Sequence, residues 1–343
     1  MSAQNQHEYD INHLANKLFY DVSKVYADME TVEFTTEQVS DFTVDKDGKV
    51  TAGSEKAGRL RDDLLGVKLN IDIDSKMKEL KDERKLPYLA LFDILENRAK
   101  RPGKSTLKDA VEGCPIAASR GALHYVAAAP HNTGNNLRLL CCLHQGTVFI
   151  VRQDKYLPGE DEQNLSTGDL FENLMIDDMS NRYYVQTVTT LGNFKLFLSG
   201  EVDCLDGEDN QVELKCRKGG LDSKIMWNRC SAEWYMQSVL LGTHRIVVGN
   251  HDTEKILSAT SIRAEQLETD RDAFCDVKPK FLWKKDALLV HLHAFLEKVV
   301  DITKEYEGKV VVIEKTEKQK AFYVTELRKK EAMFPATFLN LFK

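Results

Sequence analysis

Phe194-Lys195-Leu196-Phe197-Leu198-Ser199-Gly200-Glu201-Val202-Asp203, followed after nine residues by Glu213-Leu214-Lys215, is the stretch that decides the fold class. It sets three carboxylates and one lysine on two apolar segments. Side chains alternate across a strand, so Glu201 and Asp203 share a face, as do Glu213 and Lys215. If the return segment 211–216 pairs with the first strand, all four groups converge on one spot. Three carboxylates that close repel one another unless a divalent cation lies between them. A lysine beside a bound metal can orient or deprotonate a water. That is equipment for hydrolysing a phosphate ester or anhydride. With 29% charged residues, the same spacing also arises by chance, and then marks only a solvated hairpin edge.

The 343 residues can bury a large core, and 42% of them are hydrophobic. No apolar run reaches the length of a membrane-spanning helix, and the polar start, residues 1–10, lacks a signal-peptide pattern. The seven cysteines (Cys114, Cys141, Cys142, Cys204, Cys216, Cys230 and Cys275) contain no C-x-x-C pair. They read as reduced, buried thiols of an intracellular protein, nuclear or cytoplasmic. A net charge of −7 argues against a broad, non-specific grip on nucleic acid. It is compatible with a deep site that takes one chain end.

Along the chain, residues 11–27 read as an amphipathic helix and 79–98 as mostly helical. Segments 122–129 and 137–151 read as β-rich, forming a hairpin around 132–136. Residues 168–175 start a helix that Ser166 or Thr167 can cap. Strands follow at 183–190 and 194–199 about a Gly192-Asn193 turn, then the Glu213 strand. A long helix at 224–241 and a buried strand at 244–249 complete this part, and a helix at 287–304 precedes closing strands at 309–314 and 321–327. The expected architecture is α/β, a mixed central sheet flanked by helices. It forms one domain over 1–343, with a core at about 160–255 and elaborations at both ends.

The spacing D-x9-E-x-K resembles the signature of the PD-(D/E)xK nucleases. Further segments in the same order are similar to the DXO family of RNA 5′-end quality-control enzymes, animal relatives of the fungal decapping pyrophosphohydrolases. They are Ser119-Arg120-Gly121-Ala122-Leu123, Gln145-Gly146-Thr147-Val148-Phe149-Ile150, Gly168-Asp169-Leu170-Phe171-Glu172, the two acidic motifs, and Trp234-Tyr235-Met236-Gln237-Ser238. Behind the last come Leu241-Gly242 and Arg245-Ile246-Val247-Val248-Gly249. The likeness spans about residues 119–255.

This resemblance implies that Glu172, Asp203, Glu213 and the Leu214 carbonyl bind metal, with Glu201 holding a water beside it. Lys215 and Gln237 would position the attacking water and the scissile phosphate, and Arg120 would hold a substrate phosphate. All-oxygen ligands suit Mg²⁺ or Mn²⁺, as two ions. The implied activity is removal of incomplete caps, NAD caps or a 5′ triphosphate to leave 5′-monophosphate RNA, with 5′-to-3′ exonuclease activity. The implied partners are RNA 5′ ends, with no membrane. One alternative is a decapping pyrophosphohydrolase without exonuclease activity, which would need a nuclease partner. Another is a non-catalytic module binding RNA ends or a protein.

Each residue also has a plain reading. Glu172 suits a first helical turn, Arg120 a surface, and Gln237 a helix bordering the core. Trp234 and Tyr235 read as core. Arg217, Lys218, Lys224 and Arg229 line either an RNA path or a solvated face. Gly103-Lys104-Ser105-Thr106 lacks the first glycine and the preceding strand of a phosphate loop. His291 and His293, two apart on a helix, do not share a face.

Overall fold

A computed structural model describes residues 17–21, 30–80, 91–131, 135–153, 166–274, 282–317 and 319–343. The chain begins with β1 (Lys17–Asp21), β2 (Phe34–Asp45), β3 (Val50–Ala52) and β4 (Ile71–Asp72), then α1 (Ile73–Leu80), α2 (Leu91–Ala99) and α3 (Leu107–Ala110). The central part runs β5 (Ile116–Ser119), α4 (Arg120–Ala128), β6 (Leu137–His144), β7 (Thr147–Arg152), α5 (Thr167–Met175), β8 (Asn181–Leu191), β9 (Phe194–Val202), β10 (Cys204–Leu205) and β11 (Gln211–Lys218). After it come α6 (Ser231–Val239), β12 (Arg245–His251), β13 (Lys255–Arg263), α7 (Leu267–Phe274), α8 (Lys285–Glu305), β14 (Lys309–Lys315), β15 (Ala321–Lys329) and α9 (Ala336–Leu341).

Ten strands form a mixed sheet in the order β1-β15-β14-β6-β7-β5-β9-β8-β2-β3, and five form a second in the order β10-β11-β12-β13-β4. In the large sheet β5 runs parallel to both its neighbours, with Ile116 opposite Val148 on one side and Leu196 on the other. Strict alternation gives this sheet two buried faces. Ile116, Ala118, Leu139, Cys141, Leu196 and Leu198 meet α4, α6 and α8. Their neighbours Ala117, Leu140, Cys142 and Phe197 meet α2 and α9 on the other side. The small sheet buries Ile246 and Val248 toward the first of these clusters, and Val212, Leu214 and Val247 against Leu170, Phe171 and Met175 of α5.

Five expectations are corrected. The Glu213 strand does not pair with β9: it lies in the other sheet, parallel to β12 and antiparallel to the two-residue β10. Residues 122–129 are helical, within α4. Ala122, Ala127 and Ala128 are strong helix formers, and the segment looked β-rich only because it is apolar on nearly every side, as a buried helix must be. The β6–β7 hairpin therefore turns at Gln145-Gly146, both at positive φ, not at 132–136. Finally, 17–21 is a strand paired with β15, while the rest of the helix expected at 11–27 lies outside the described residues. The helix expected at 224–241 is also interrupted, by a wide π turn over Met226–Cys230 before α6.

A candidate metal-carboxylate site at the junction of the two sheets

The chain leaves the large sheet at Val202 and enters the small one at Cys204, so Asp203 sits on the seam. Its Oδ2 accepts a hydrogen bond from the Leu214 N–H at 2.6 Å. This bond replaces a missing strand neighbour, because β10 accompanies β11 only through Gln211 and Val212. N–H and C=O of one strand residue face the same edge, so the Leu214 carbonyl also looks toward the seam. Gly200 makes the crossing possible. A Cβ there would lie 2.8 Å from Leu241 Cδ1 and 2.9 Å from Arg120 Cβ, so only glycine lets α4 close on β9.

Glu213 is 1% exposed and ringed by donors. Arg120 Nη1 donates to Oε2 at 3.0 Å, Lys215 Nζ to Oε1 at 2.5 Å, and Gln237 Nε2 to the same Oε1. Arg120 opens α4 directly after β5, and Gln237 reaches in from α6. Both Glu201 oxygens accept from Arg182 Nη1, at 2.7 and 2.8 Å. Tyr184 of β8 is opposite Glu201, so Arg182, two residues earlier, is its diagonal neighbour. Glu172 lies on α5, near enough for its charge to act on Asp203. A capping box fixes that helix: Ser166 Oγ accepts from Asp169 N–H at 3.2 Å and Asp169 Oδ2 from Ser166 N–H at 2.8 Å. Phe171, packed where a Gly249 Cβ would stand, sets its depth.

Burial and the nearby Glu213 and Glu172 carboxylates push the Asp203 carboxyl well above the usual aspartate range. Burial also works against ionised Glu213, but Lys215 and Arg120 outweigh it and hold that carboxyl below its usual range. In return, although burial disfavours the Lys215 ammonium, Glu213 and Asp203 more than offset this and raise its pKa. Lys215 is firmly a cation. His124, one turn beyond Arg120, is driven well below the usual histidine range by burial and by Arg120. Its neutral ring places Nδ1 3.1 Å from the Arg120 carbonyl. A carbonyl only accepts, so Nδ1 carries the hydrogen.

Glu201 is engaged by Arg182, and Glu213 by three donors. Among the described residues no three His, Cys, Asp or Glu side chains stand as a ready-made metal cage. The donor chemistry nevertheless suits a hard divalent cation. Four carboxylates and one main-chain carbonyl are all oxygen, and Asp203, its pKa raised by burial and then by the Glu213 and Glu172 charges, is a carboxyl that a cation would help to ionise. The buried Arg120 Nε has no hydrogen-bond partner, leaving a donor for an anion.

Residues 35–339 match the family model described as RAI1-like PD-(D/E)XK nuclease. The chain belongs to this family. Among curated RAI1-like relatives, it is 23% identical over 265 residues to the decapping nuclease dom-3 of Caenorhabditis elegans, covering 67% of this chain and 66% of that protein. It is 27% identical over 270 residues to the decapping nuclease RAI1 of Emericella nidulans, covering 68% and 71%. The fold is that of Candida albicans Rai1, whose crystal structure holds pU5 and Mn²⁺, with a TM-score of 0.69 at 16% identity over 95% of this chain and 99% of that one.

All eight residues singled out in the sequence lie around this one junction in the RAI1-like fold. Sequence reasoning missed Arg182, the partner of Glu201, because no motif spacing marks it. Its signal is only the diagonal cross-strand position, which needs the β8–β9 register. It also missed His124, which a helix reading of 120–128 would have put on the Arg120 face. The other motifs are structural. Lys104 pairs with Glu112 at 2.6 Å. His291 lies buried 3.0 Å from the Val126 carbonyl, and His293 is 2.7 Å from Asn193 Oδ1. Trp234 and Tyr235 are buried in the core. Among the described residues, no helix is long and apolar enough to cross a membrane.

Proposed function

We propose that this chain is a Mg²⁺- or Mn²⁺-dependent hydrolase of RNA 5′ ends. It would remove incomplete caps, NAD caps or a 5′ triphosphate to leave 5′-monophosphate RNA, and then degrade the body 5′ to 3′. The observation that carries this reading is the convergence of Arg120, Lys215 and Gln237 on buried Glu213, beside an Asp203 on which the Glu213 and Glu172 charges act. The names of the two decapping nucleases above point to the same substrate class.

Asp203, Glu213, Glu172 and the Leu214 carbonyl would hold the cations. A divalent cation bound there supplies charge stabilisation at the phosphate and lowers the pKa of a nearby water. Arg120 would turn its unused Nε to a phosphate oxygen. Gln237 and Lys215, which both reach Glu213 Oε1, would aim the water and the scissile phosphate at each other. Lys215, a cation through its contact with Glu213, would steady negative charge at the phosphate. Half-exposed Glu201, held by Arg182, would take the proton of the attacking water.

The test is incubation of the protein and its Asp203→Ala, Glu213→Ala variant with Mg²⁺ and four RNAs: 5′-triphosphate, unmethylated-capped, NAD-capped and 5′-monophosphate. End removal and decay of the monophosphate RNA by the unaltered protein alone is the expected result. End removal without decay would select a decapping pyrophosphohydrolase. Binding without any product would select a non-catalytic module.

A further inference from the structure

Two rungs join α4 to α6. The first is Glu213, which takes Arg120 Nη1 from α4 and Gln237 Nε2 from α6. The second lies one helical turn behind it. His124 stands four residues beyond Arg120 and Glu233 four before Gln237, a rise of about 6 Å along each helix. His124 Nε2 is 4.0 Å from Glu233 Oε1, so the two helices run antiparallel past each other. They otherwise share an apolar cluster, with Leu123, Val126, Trp234 and Met236 among its members. Both ends of the second rung are held. Buried His124 places Nδ1 3.1 Å from the Arg120 carbonyl, and the Tyr125 ring lies against it with centroids 4.0 Å apart. Arg152 of β7 sits over Tyr125 in turn, 4.4 Å from the ring centroid. On the α6 side, Asn135 Nδ2 donates to Glu233 Oε2 at 3.2 Å. Because Nδ1 carries the hydrogen, Nε2 turns a lone pair toward the carboxylate. Two acceptors facing each other in a largely apolar interface cost stability. Stability therefore does not account for the rung, and its place behind Arg120 and Gln237 does.

We infer that His124 is a positioning residue, which with Glu233 holds the first turn of α4 against α6 and so aims the Arg120 guanidinium at a substrate phosphate. It touches no reacting atom and acts through Arg120, whose carbonyl it binds and whose buried Nε has no hydrogen-bond partner. The inference rests on the proposed reading of Arg120 as the phosphate contact.

Two measurements separate position from packing. The dissociation constant of a 5′-phosphorylated, phosphorothioate-linked octaribonucleotide that resists cleavage, taken in Mg²⁺, reads the hold on phosphate. The urea midpoint reads the fold. His124→Leu fills much of the space of the ring and offers no hydrogen bond. It should keep or raise the urea midpoint, yet bind the octamer about tenfold more weakly. His124→Asn, whose amide can donate to the Arg120 carbonyl in place of Nδ1, should restore binding to within about threefold of the unaltered protein. In an Arg120→Ala protein, His124→Leu should weaken binding no further, because residues that act as one unit do not add. If His124→Leu does not fold, Glu233→Leu tests the same rung from α6, with the same loss expected and the same absence of it after Arg120→Ala. Unchanged affinity in the leucine variants, or an equal further loss in the Arg120→Ala protein, would overturn the positioning role. So would a urea midpoint that falls along with affinity and is not rescued by His124→Asn. Binding that depends on His124 only while Arg120 is present, in a protein that hydrolyses none of the four RNAs, would remove the hydrolase reading and leave His124 in its role.

Discussion

Asp203 and Glu213 carry the same charge on one seam but titrate in opposite directions, because the cations are distributed unequally. Glu213 takes Arg120, Lys215 and Gln237, whereas Asp203 receives one main-chain N–H. An aspartate whose folded pKa lies above its unfolded one binds its proton more tightly when folded. Its contribution to stability is full below the ordinary aspartate value of about 4 and is lost as pH rises through the raised value. With chelator present, Asp203→Asn should therefore raise the melting temperature at pH 7.5 by about 2–4 °C and flatten the decline of stability from pH 4 upward, while abolishing hydrolysis. Equal melting curves at pH 7.5 would refute the repulsion. Arg182 gives a second prediction. Arg182→Ala frees the Glu201 carboxylate and should lower kcat about 10- to 100-fold, in the range of losses seen when a supporting hydrogen bond behind a metal site is removed. A Mn²⁺ titration of activity checks it, and an unchanged kcat would place Arg182 outside the reaction.

Two contacts decide whether the elements deliver these groups. Gly200→Ala would press Cβ into Arg120 and Leu241, costing about 1–3 kcal/mol as overpacking does and pushing Arg120 from Glu213. Urea denaturation together with kcat/KM measures both effects, and loss of stability with full activity would show that Arg120 need not lie there. Ser166→Ala removes the α5 cap for about 1 kcal/mol. The element level is also where legibility varied most. The β8–β9 hairpin could be read because Gly192-Asn193 interrupts two alternating runs and Gly192 adopts positive φ. α5 could be read from Ser166 and Asp169. α4 was not legible: its buried faces leave no polar stripe to reveal a 3.6-residue period. β5 was missed because Ile116-Ala117-Ala118-Ser119 is too short for any period to show.

For the whole molecule, the motif order located the site, but the chain gives no local sign of which strands pair. β9 and β11 look like partners in sequence. They belong to different sheets because β5, from far upstream, occupies one side of β9 and β8 the other. The carboxylates still meet, since Asp203 bridges the sheets. A divalent cation that binds across this seam ties both sheets together, so saturating Mg²⁺ or Mn²⁺ at a hundred times Kd should stabilise the protein by about 2.7 kcal/mol. Thermal shift of the unaltered protein against Asp203→Ala, Glu213→Ala checks this, and an equal gain in both would place the cation elsewhere.

The insertion of β5 between β7 and β9 also has a bearing on the order in which the molecule is built. The β6–β7 and β8–β9 hairpins close short loops and can form by themselves. β5 pairs parallel with strands distant in the chain, a slow, entropically costly step, and Arg120 follows directly behind it. A chain released from denaturant should thus regain its hairpins, seen by far-ultraviolet circular dichroism, well before it regains its chemistry.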